Sequence, residues 1–143
     1  MKNLSQLAGE LIDQEGYREQ AYKDSVGFWT IGVGHFLGNS SSWEGQKWSP
    51  KRIITTFLLD IQEAEEVART LYKEFDTLSD SRQRAVVNLA FNMGYNTLAK
   101  FKNSNQLFND RKYAEAANAF MQSKWASQVG PRAKYVTELI RNG

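Results

Sequence analysis

Apolar residues recur at helical spacing without a break from Ile53 to Phe75, and a repeat of this length predicts a helix buried along one side. Ser49 and Pro50 stand just before it. They pair a favoured N-cap residue with the residue best tolerated in a first helical turn. The pattern therefore predicts a single long helix over about residues 50–75, which can act as a spine between two lobes of the fold.

The chain before this helix combines another helix with a small β region. Apolar residues at helical spacing predict a helix over residues 3–14, which Gly16 ends. Between Tyr17 and Phe36, aromatic and β-branched residues alternate with other residues around a turn sequence. This alternation predicts an antiparallel hairpin with one apolar face and one nearly bare face. Glycine, serine and asparagine residues then predict a loop, so a small β lobe is expected over about residues 16–48.

The rest of the chain is helical by the same criteria. Ser79 can cap a helix that Gly94 closes, and Pro131 starts the last helix. Further helical stretches are predicted near residues 97–101, 104–109, 111–123 and 131–141. Together the patterns predict an α+β fold in one domain, residues 1–143. In this fold, the spine helix joins the small antiparallel β lobe to a helical lobe. The helical lobe is predicted to consist of about residues 79–143 together with helix 3–14.

The composition excludes several kinds of site. The 143 residues include no cysteine, which excludes disulfides, thiolate zinc sites, iron–sulfur clusters and cysteine nucleophiles. The only histidine, His35, has no second histidine or thiolate with which to share a metal. We therefore expect neither a metal nor an organic cofactor, and any catalysis must use carboxylates, hydroxyls, amines or His35.

Charge is divided unevenly along the chain. Residues 1–96 carry 10 basic and 13 acidic side chains, whereas residues 97–143 carry 8 basic and 3 acidic side chains. The basic excess favours an anionic polymer as partner, although solvated helix faces would show the same pattern. Basic and exposed aromatic residues are not interleaved, so we expect no nucleic-acid partner. The charged and polar first ten residues fit neither a signal peptide nor a membrane span, so no stable membrane binding is expected.

Two carboxyl groups stand out by their surroundings. Glu15 continues the stripe of Leu7 and Leu11, which places it on the buried side of the first predicted helix. Burial favours the protonated form of such a group, although a carboxyl paired with a base beside the core fits equally. Asp24 lies in the predicted turn, where an aspartate commonly bonds local backbone. As a pair, they have the asymmetry that glycoside cleavage needs, with one acid to protonate the leaving oxygen and one carboxylate to activate water or attack carbon.

Thr30 shares the nearly bare face of the hairpin with Gly32 and Gly34. Its hydroxyl is expected to project toward an open surface that a ligand or water can reach, although threonine is also an ordinary strand residue. The glycines would let a polymer approach the backbone, or else mark a bulge or close packing. The combination predicts a groove.

The segment from Glu15 to His35 closely resembles the catalytic signature of phage-type lysozymes. The resemblance continues through residues 88–94, 101–104 and 123–134, so it covers most of the chain in the same order.

This resemblance implies a role for each of three residues. Glu15 would be the general acid, Asp24 would position or activate the attacking water, and Thr30 would help to hold that water. The implied reaction hydrolyses β-1,4 bonds between N-acetylmuramic acid and N-acetylglucosamine in bacterial peptidoglycan, mostly with inversion. Inversion requires the two carboxyls to stand roughly 6.5–9.5 Å apart, with room for water.

The resemblance also implies residues that contact the substrate or the acid. Arg132 matches an arginine that approaches the catalytic glutamate, where it would favour the ionised form and oppose the effect of burial. Phe36, Phe91 and Ser104 match positions that line the substrate cleft, although Phe91 lies between apolar neighbours and fits a core position as well. Trp125 matches a buried tryptophan, and we assign it to the core.

Other matches and departures concern the β lobe. His35 matches a histidine that pairs with an aspartate of the long helix, here Asp60, so its expected role is stability. The segment between these two residues is shorter than in the family, which predicts a smaller β lobe. Trp43 and Trp48 can compensate by stacking on a sugar or by filling the core of that lobe.

The leading hypothesis is a monomeric phage endolysin that lyses the host cell. Without an export signal, it would stay in the host cytoplasm until a holin or another membrane lesion gives access to the cell wall. A lysozyme carried on a phage tail is a second hypothesis, for which the sequence offers no discriminating feature. A non-catalytic wall-binding module is a third, but a pure binder has no need of a partly buried acid at Glu15.

Overall fold

The computed structural model describes all 143 residues. It contains seven α-helices and one three-stranded antiparallel sheet. The strands are β1 (Arg18–Lys23), β2 (Trp29–Gly32) and β3 (His35–Gly38), and the helices are α1 (Leu4–Glu15), α2 (Pro50–Leu71), α3 (Asp80–Leu98), α4 (Lys102–Asn109), α5 (Tyr113–Met121), α6 (Lys124–Val129) and α7 (Pro131–Asn142). The predicted α+β class is confirmed. No helix combines the length and the apolar character needed to cross a membrane.

Close contacts divide the chain into two compact units. The β unit consists of residues 8–62, and the helical unit consists of residues 1–7 and 63–143. Helix α2 contributes to both, because the boundary between the units falls inside it.

The β unit contains the predicted hairpin and a third strand that the sequence did not predict. The strands follow each other in the order β1-β2-β3, so β3 extends the hairpin into a meander. A one-turn 3₁₀ helix, Ser41–Trp43, lies in the predicted loop. Lys47 then pairs with Gln20 as an isolated bridge beside β1.

In the core of the β unit, the predicted contact between His35 and Asp60 is observed, and one of the two alternatives for Trp48 is found. The His35 Nδ1 atom lies 2.6 Å from Asp60 Oδ2, as expected for a stabilising pair. Trp48 is buried, with its ring 5.6 Å from the His35 ring and the Arg52 guanidinium 3.9 Å above it. Of the two uses foreseen for this tryptophan, filling the core of the unit is therefore the one observed.

The long helix begins as predicted but ends earlier. Ser49 caps it through a 3.2 Å bond from the Arg52 amide, and it ends at Leu71 rather than near Phe75. Glu74 then adopts left-handed backbone angles, and Phe75 starts a 3₁₀ turn. Tyr72 and Phe75 are nevertheless buried. The apolar repeat continues past the end of the helix because apolar residues mark buried positions, and Tyr72 and Phe75 are buried although they lie outside α2.

The helical unit follows the prediction around Gly94 and departs from it later. Helix α3 is interrupted at Gly94, whose φ 75° and ψ 171° are not helical, and a further helical turn runs as far as Leu98. The predicted stop at Gly94 is therefore confirmed, and the helical stretch predicted near 97–101 corresponds to this short turn. The short helix α6 was not predicted. Ser123 caps it, and its Trp125 is buried as expected, with Nε1 donating to Asn92 Oδ1 at 2.6 Å.

A buried hydrogen-bonded chain in the helical unit generates a stability prediction. Tyr72 is fully buried, and its hydroxyl donates to Asn105 Oδ1 at 2.6 Å, while Asn105 Nδ2 donates to the Leu98 carbonyl at 2.9 Å. Tyr72→Phe leaves the amide oxygen buried without its donor, so we expect a loss of about 1–3 kcal/mol in the free energy of unfolding, measured in urea at pH 7. The exposed Tyr95→Phe serves as the control and should change stability little; equal effects of the two variants would contradict the prediction.

The same tyrosine predicts how stability changes with pH. Burial raises the pKa of Tyr72 above its ordinary value of 10.0, so above pH 10 the unfolded chain releases this proton and the folded chain keeps it. Stability that depends on Tyr72 is therefore present below pH 10 and is lost as pH rises above it. The Tyr72→Phe variant has no titrating hydroxyl at this position, so it does not lose this part of its stability at high pH. The difference in unfolding free energy between parent and variant should shrink between pH 9 and 11, and a constant difference would refute the assignment.

Candidate active site

Glu15 is the last residue of α1, and its side chain is half-buried. Gly16 ends the helix with φ 80°, its amide donating to the Ile12 carbonyl at 2.8 Å. Because Glu15 follows the fully buried Leu7 and Leu11 at intervals of four, its carboxyl emerges at the end of an apolar stripe, as the sequence predicted.

The Glu15 carboxyl lies directly over Gly34, in the turn between β2 and β3. A Cβ atom on this glycine would lie 2.8 Å from the Glu15 Cδ atom and 2.9 Å from Oε1. Gly34 also has φ 62°, a left-handed conformation that favours glycine. The acid therefore occupies the space that any other residue at position 34 would fill.

The open surface predicted at Thr30 is not observed, and of the alternatives left open for Gly32 and Gly34, close packing is the one found. Thr30 is only 6% exposed. Gly32 receives the Ile53 side chain of α2, whose Cγ2 atom would be 3.1 Å from an added Cβ, and Gly34 receives Glu15. The glycines do allow a close approach, but the groups that approach are side chains of the protein itself.

Asp24 is held by the turn that joins β1 to β2. Its Oδ1 atom accepts hydrogen bonds from the amides of Val26 at 3.0 Å and Phe28 at 2.9 Å. Its backbone carbonyl accepts from the Gly27 amide at 3.1 Å, and its amide donates to the Phe28 carbonyl at 2.8 Å. These bonds fix the orientation of the carboxylate and leave Oδ2 to accept a further hydrogen bond.

Thr30 lies in the middle of the sheet, between two aromatic residues. Its cross-strand partners are Tyr22 on β1 and Phe36 on β3, and directly opposed side chains project from the same face of a sheet. Phe36 is 60% exposed, and its ring centroid lies 5.2 Å from that of Phe28. Thr30 and Phe36 are therefore neighbours on one face of the β unit.

Tyr22 connects the two candidate acids electrostatically. Its pKa is raised above 10.0 by burial first and then by the charge of Glu15, with a further rise from Asp24, while Arg18 lowers it. Both candidate acids therefore act electrostatically on the same phenol. Sequence reasoning did not select Tyr22, although its position two residues before Asp24 in a predicted strand was a usable signal.

The remaining predicted site residues belong to the helical unit. Phe91 is half-buried in α3, and Ser104 in α4 is buried. Arg132 donates from Nε at 3.1 Å and from Nη2 at 3.0 Å to Asn88 Oδ1. The substrate-binding roles of these three residues stay predictions.

The β unit thus assembles two carboxyls in different surroundings with two hydroxyl-bearing residues. One carboxyl is packed against backbone at a helix end, and the other is held by turn amides. Such a set can donate a proton at one point and accept one at another. No group of three or more His, Cys, Asp or Glu side chains in the structure is arranged to hold a metal ion.

Comparison with known proteins places the chain in a family. The family model described as phage lysozyme matches residues 12–141. The chain is 29% identical to "Probable T4-type lysozyme 1" of Dictyostelium discoideum, over 98% of this chain and 96% of that protein. It is 32% identical to "Endolysin" of Salmonella phage P22, over 80% of this chain and 78% of that protein.

Two further relatives are much longer proteins. "Peptidoglycan hydrolase gp36" of Pseudomonas phage phiKMV is 30% identical over 87% of this chain but only 14% of its own length. "Pre-baseplate central spike protein Gp5" of Enterobacteria phage T4 is 26% identical over 99% of this chain and 28% of its own length. With a family match that spans nearly all of its residues, the chain belongs to the phage lysozyme family and is a glycoside hydrolase of the lysozyme class.

Proposed function

We propose that this enzyme hydrolyses the β-1,4 bond between N-acetylmuramic acid and N-acetylglucosamine in bacterial peptidoglycan, with Glu15 as general acid and Asp24 as the carboxylate that directs water. The observation that carries the proposal is the unlike setting of two carboxyls in the β unit, one packed on Gly34 and one fixed by two turn amides. Glycoside hydrolysis uses two carboxyl groups in such unlike surroundings.

Glu15 is suited to deliver a proton to the leaving oxygen. Its half-buried carboxyl rests on Gly34, so its position is defined before a substrate binds. A positioned acid avoids the entropy loss of finding the correct geometry during the reaction.

Asp24 is suited to hold and deprotonate water. Two amide donors fix Oδ1 and leave Oδ2 as the acceptor for a water proton. Thr30 would assist through its hydroxyl. With water attacking on one side and Glu15 donating on the other, the sugar would leave with inverted configuration.

In biological terms, we infer an endolysin that releases phage progeny from the host. The similarity to the P22 protein named "Endolysin" supports this role, and we expect the enzyme to act as a monomer. It would remain in the host cytoplasm until a holin opens the membrane. The similarity to a T4 spike protein favours a tail-associated lysozyme as the second candidate. Lysis by co-expression with a holin, and no lysis by expression alone, would support the endolysin.

Glu15→Gln tests the general acid. The change keeps the shape of the side chain and removes its proton, so turnover of peptidoglycan should fall by at least about 10²-fold, measured as turbidity loss of permeabilised bacteria. Asp13→Asn, an exposed acid of the same helix, is the matched control and should keep parental activity. Parental clearing by Glu15→Gln would remove Glu15 from the mechanism.

Asp24→Asn tests the water-directing carboxylate. Asparagine keeps an oxygen for the two turn amides but cannot take a proton, so turnover should be lost while the melting temperature is retained. NMR of the first product formed by the parent enzyme checks the stereochemistry, because inversion of a β bond yields the α anomer. An active Asp24→Asn variant would place the base elsewhere, and a β anomer would indicate retention.

Gly34→Ala tests the packing of the acid. The new methyl group overlaps the Glu15 carboxyl, so activity should fall on the order of 10-fold or more, in line with the cost of misplacing a catalytic group. Gly45→Ala is the control, because Gly45 has φ 82° and no atom within 4 Å of an added Cβ. Both variants carry similar backbone strain. Equal activities of the two would therefore show that the space at position 34 does not determine the position of the Glu15 carboxyl.

A further inference from the structure

Two phenylalanine rings form an exposed pair on the β unit. Phe36 in β3 is 60% exposed, and its ring centroid lies 5.2 Å from that of the half-buried Phe28, with the two planes at 54°. This distance and tilt lie within the range that aromatic pairs favour. Neither ring belongs to the buried core, so the two rings support each other at the surface.

The register of the sheet places this pair on the same face as Thr30. Thr30 is the direct cross-strand partner of Phe36, and directly opposed side chains project from one face. Phe28 lies two positions before Thr30, and alternation along an extended chain directs both to the same side. The contact between the rings of Phe28 and Phe36 agrees with this assignment.

An irregularity in the ladder lies next to Phe36. Thr30 pairs with Phe36 and Trp29 pairs with Gly38, so one step along β2 matches two steps along β3. Such bulges redirect neighbouring side chains and are common beside active sites. The exposed position of Phe36 is therefore set at a bulge rather than within a regular ladder.

Phe28 is joined to Asp24 through the backbone on both sides. Its amide donates to Asp24 Oδ1 at 2.9 Å, and its carbonyl accepts from the Asp24 amide at 2.8 Å. The turn that orients the proposed water-directing carboxylate therefore also fixes the backbone of Phe28. A ligand that rests on the two rings lies beside Asp24.

The chemistry of this surface matches one face of a sugar. A phenylalanine ring has no hydrogen-bonding group, and its face carries the negative part of the ring quadrupole. A pyranose ring presents C–H bonds, which carry a slight positive charge, on one face and keeps its hydroxyl groups near its edge. The Asp24 carboxylate stands next to the rings to meet polar groups, and an apolar surface with a few placed polar groups is the usual composition of a ligand site.

Resting on the proposed function, we propose that Phe28 and Phe36 form an aromatic platform, on which the C–H face of one pyranose ring of the glycan stacks next to Asp24. The resemblance to phage-type lysozymes assigns Phe36 alone to the cleft, and no sequence signal selected Phe28. The platform holds the sugar and takes no part in proton transfer, so it determines the affinity for the glycan.

Direct binding to the Glu15→Gln protein, which should bind glycan without cleaving it, tests the platform. The probe is a soluble tetrasaccharide of alternating N-acetylglucosamine and N-acetylmuramic acid. Phe28→Leu, added to this protein, keeps an apolar side chain and removes the aromatic face. We expect it to raise the Kd roughly 3- to 10-fold, the scale of one lost aromatic contact, and Phe36→Leu to do the same. A parental Kd in Phe28→Leu would overturn the proposal.

NMR of the bound tetrasaccharide provides a readout that a merely structural role would not change. Protons held over the face of an aromatic ring move upfield, so the C–H protons of one sugar should shift upfield on binding. The shift should disappear when both Phe28 and Phe36 are replaced by Leu. This measurement on the protein with both rings decides the question even if a Leu variant does not fold, because bound sugar without an upfield shift would refute stacking.

Two controls match these variants. Leu59 on α2 is 59% exposed, so Leu59→Ala removes apolar surface at a position as exposed as Phe36 and should leave the Kd at its parental value. Phe28→Tyr keeps the aromatic face and should also keep the parental Kd. A rise in Kd with Phe28→Tyr equal to that with Phe28→Leu would contradict stacking on the ring.

The outcomes separate this inference from the function on which it rests. Hydrolysis by the parent enzyme and its loss in Glu15→Gln would support the function, whatever the platform variants show. Hydrolysis by the parent together with a parental Kd in Phe28→Leu would overturn the platform alone. A parent enzyme that does not hydrolyse peptidoglycan would remove the function itself.

Discussion

The β unit depends on two glycines against which helices pack. Gly32 receives Ile53 from the start of α2, and Gly34 receives Glu15 from the end of α1. Both glycines have left-handed backbone angles, so a side chain at either place would be strained as well as crowded. The contact at Gly34 also places the proposed proton donor. One packing arrangement therefore serves the fold and the chemistry together.

The register of the sheet brings the other groups to that donor. Thr30 stands opposite Tyr22 and Phe36, and the turn amides orient Asp24. Each of these relations is a backbone property, because cross-strand pairing and turn geometry decide which side chains share a face.

Where sequence reasoning succeeded, the signal was local. The cap at Ser49, the turn at Asp24 and the buried position of Glu15 follow from residue types at fixed offsets. Sequence reasoning failed where tertiary packing overrode a local sequence signal. Phe75 continued the apolar repeat beyond the end of α2, because a buried residue keeps the same apolar character in a 3₁₀ turn as in a helix.

The amino-acid order by itself determined the α+β class, most element bounds and the three residues Glu15, Asp24 and Thr30 as candidates, since periodicity, caps and turn residues act within a few positions of each other. Only the tertiary structure decided that the glycine face is filled by Ile53 and Glu15, that Trp48 is buried against His35, and that Tyr22 pairs with Thr30 across the sheet. These are contacts between segments distant along the chain. Their geometry comes from packing volume and strand register, which no short stretch of residues contains.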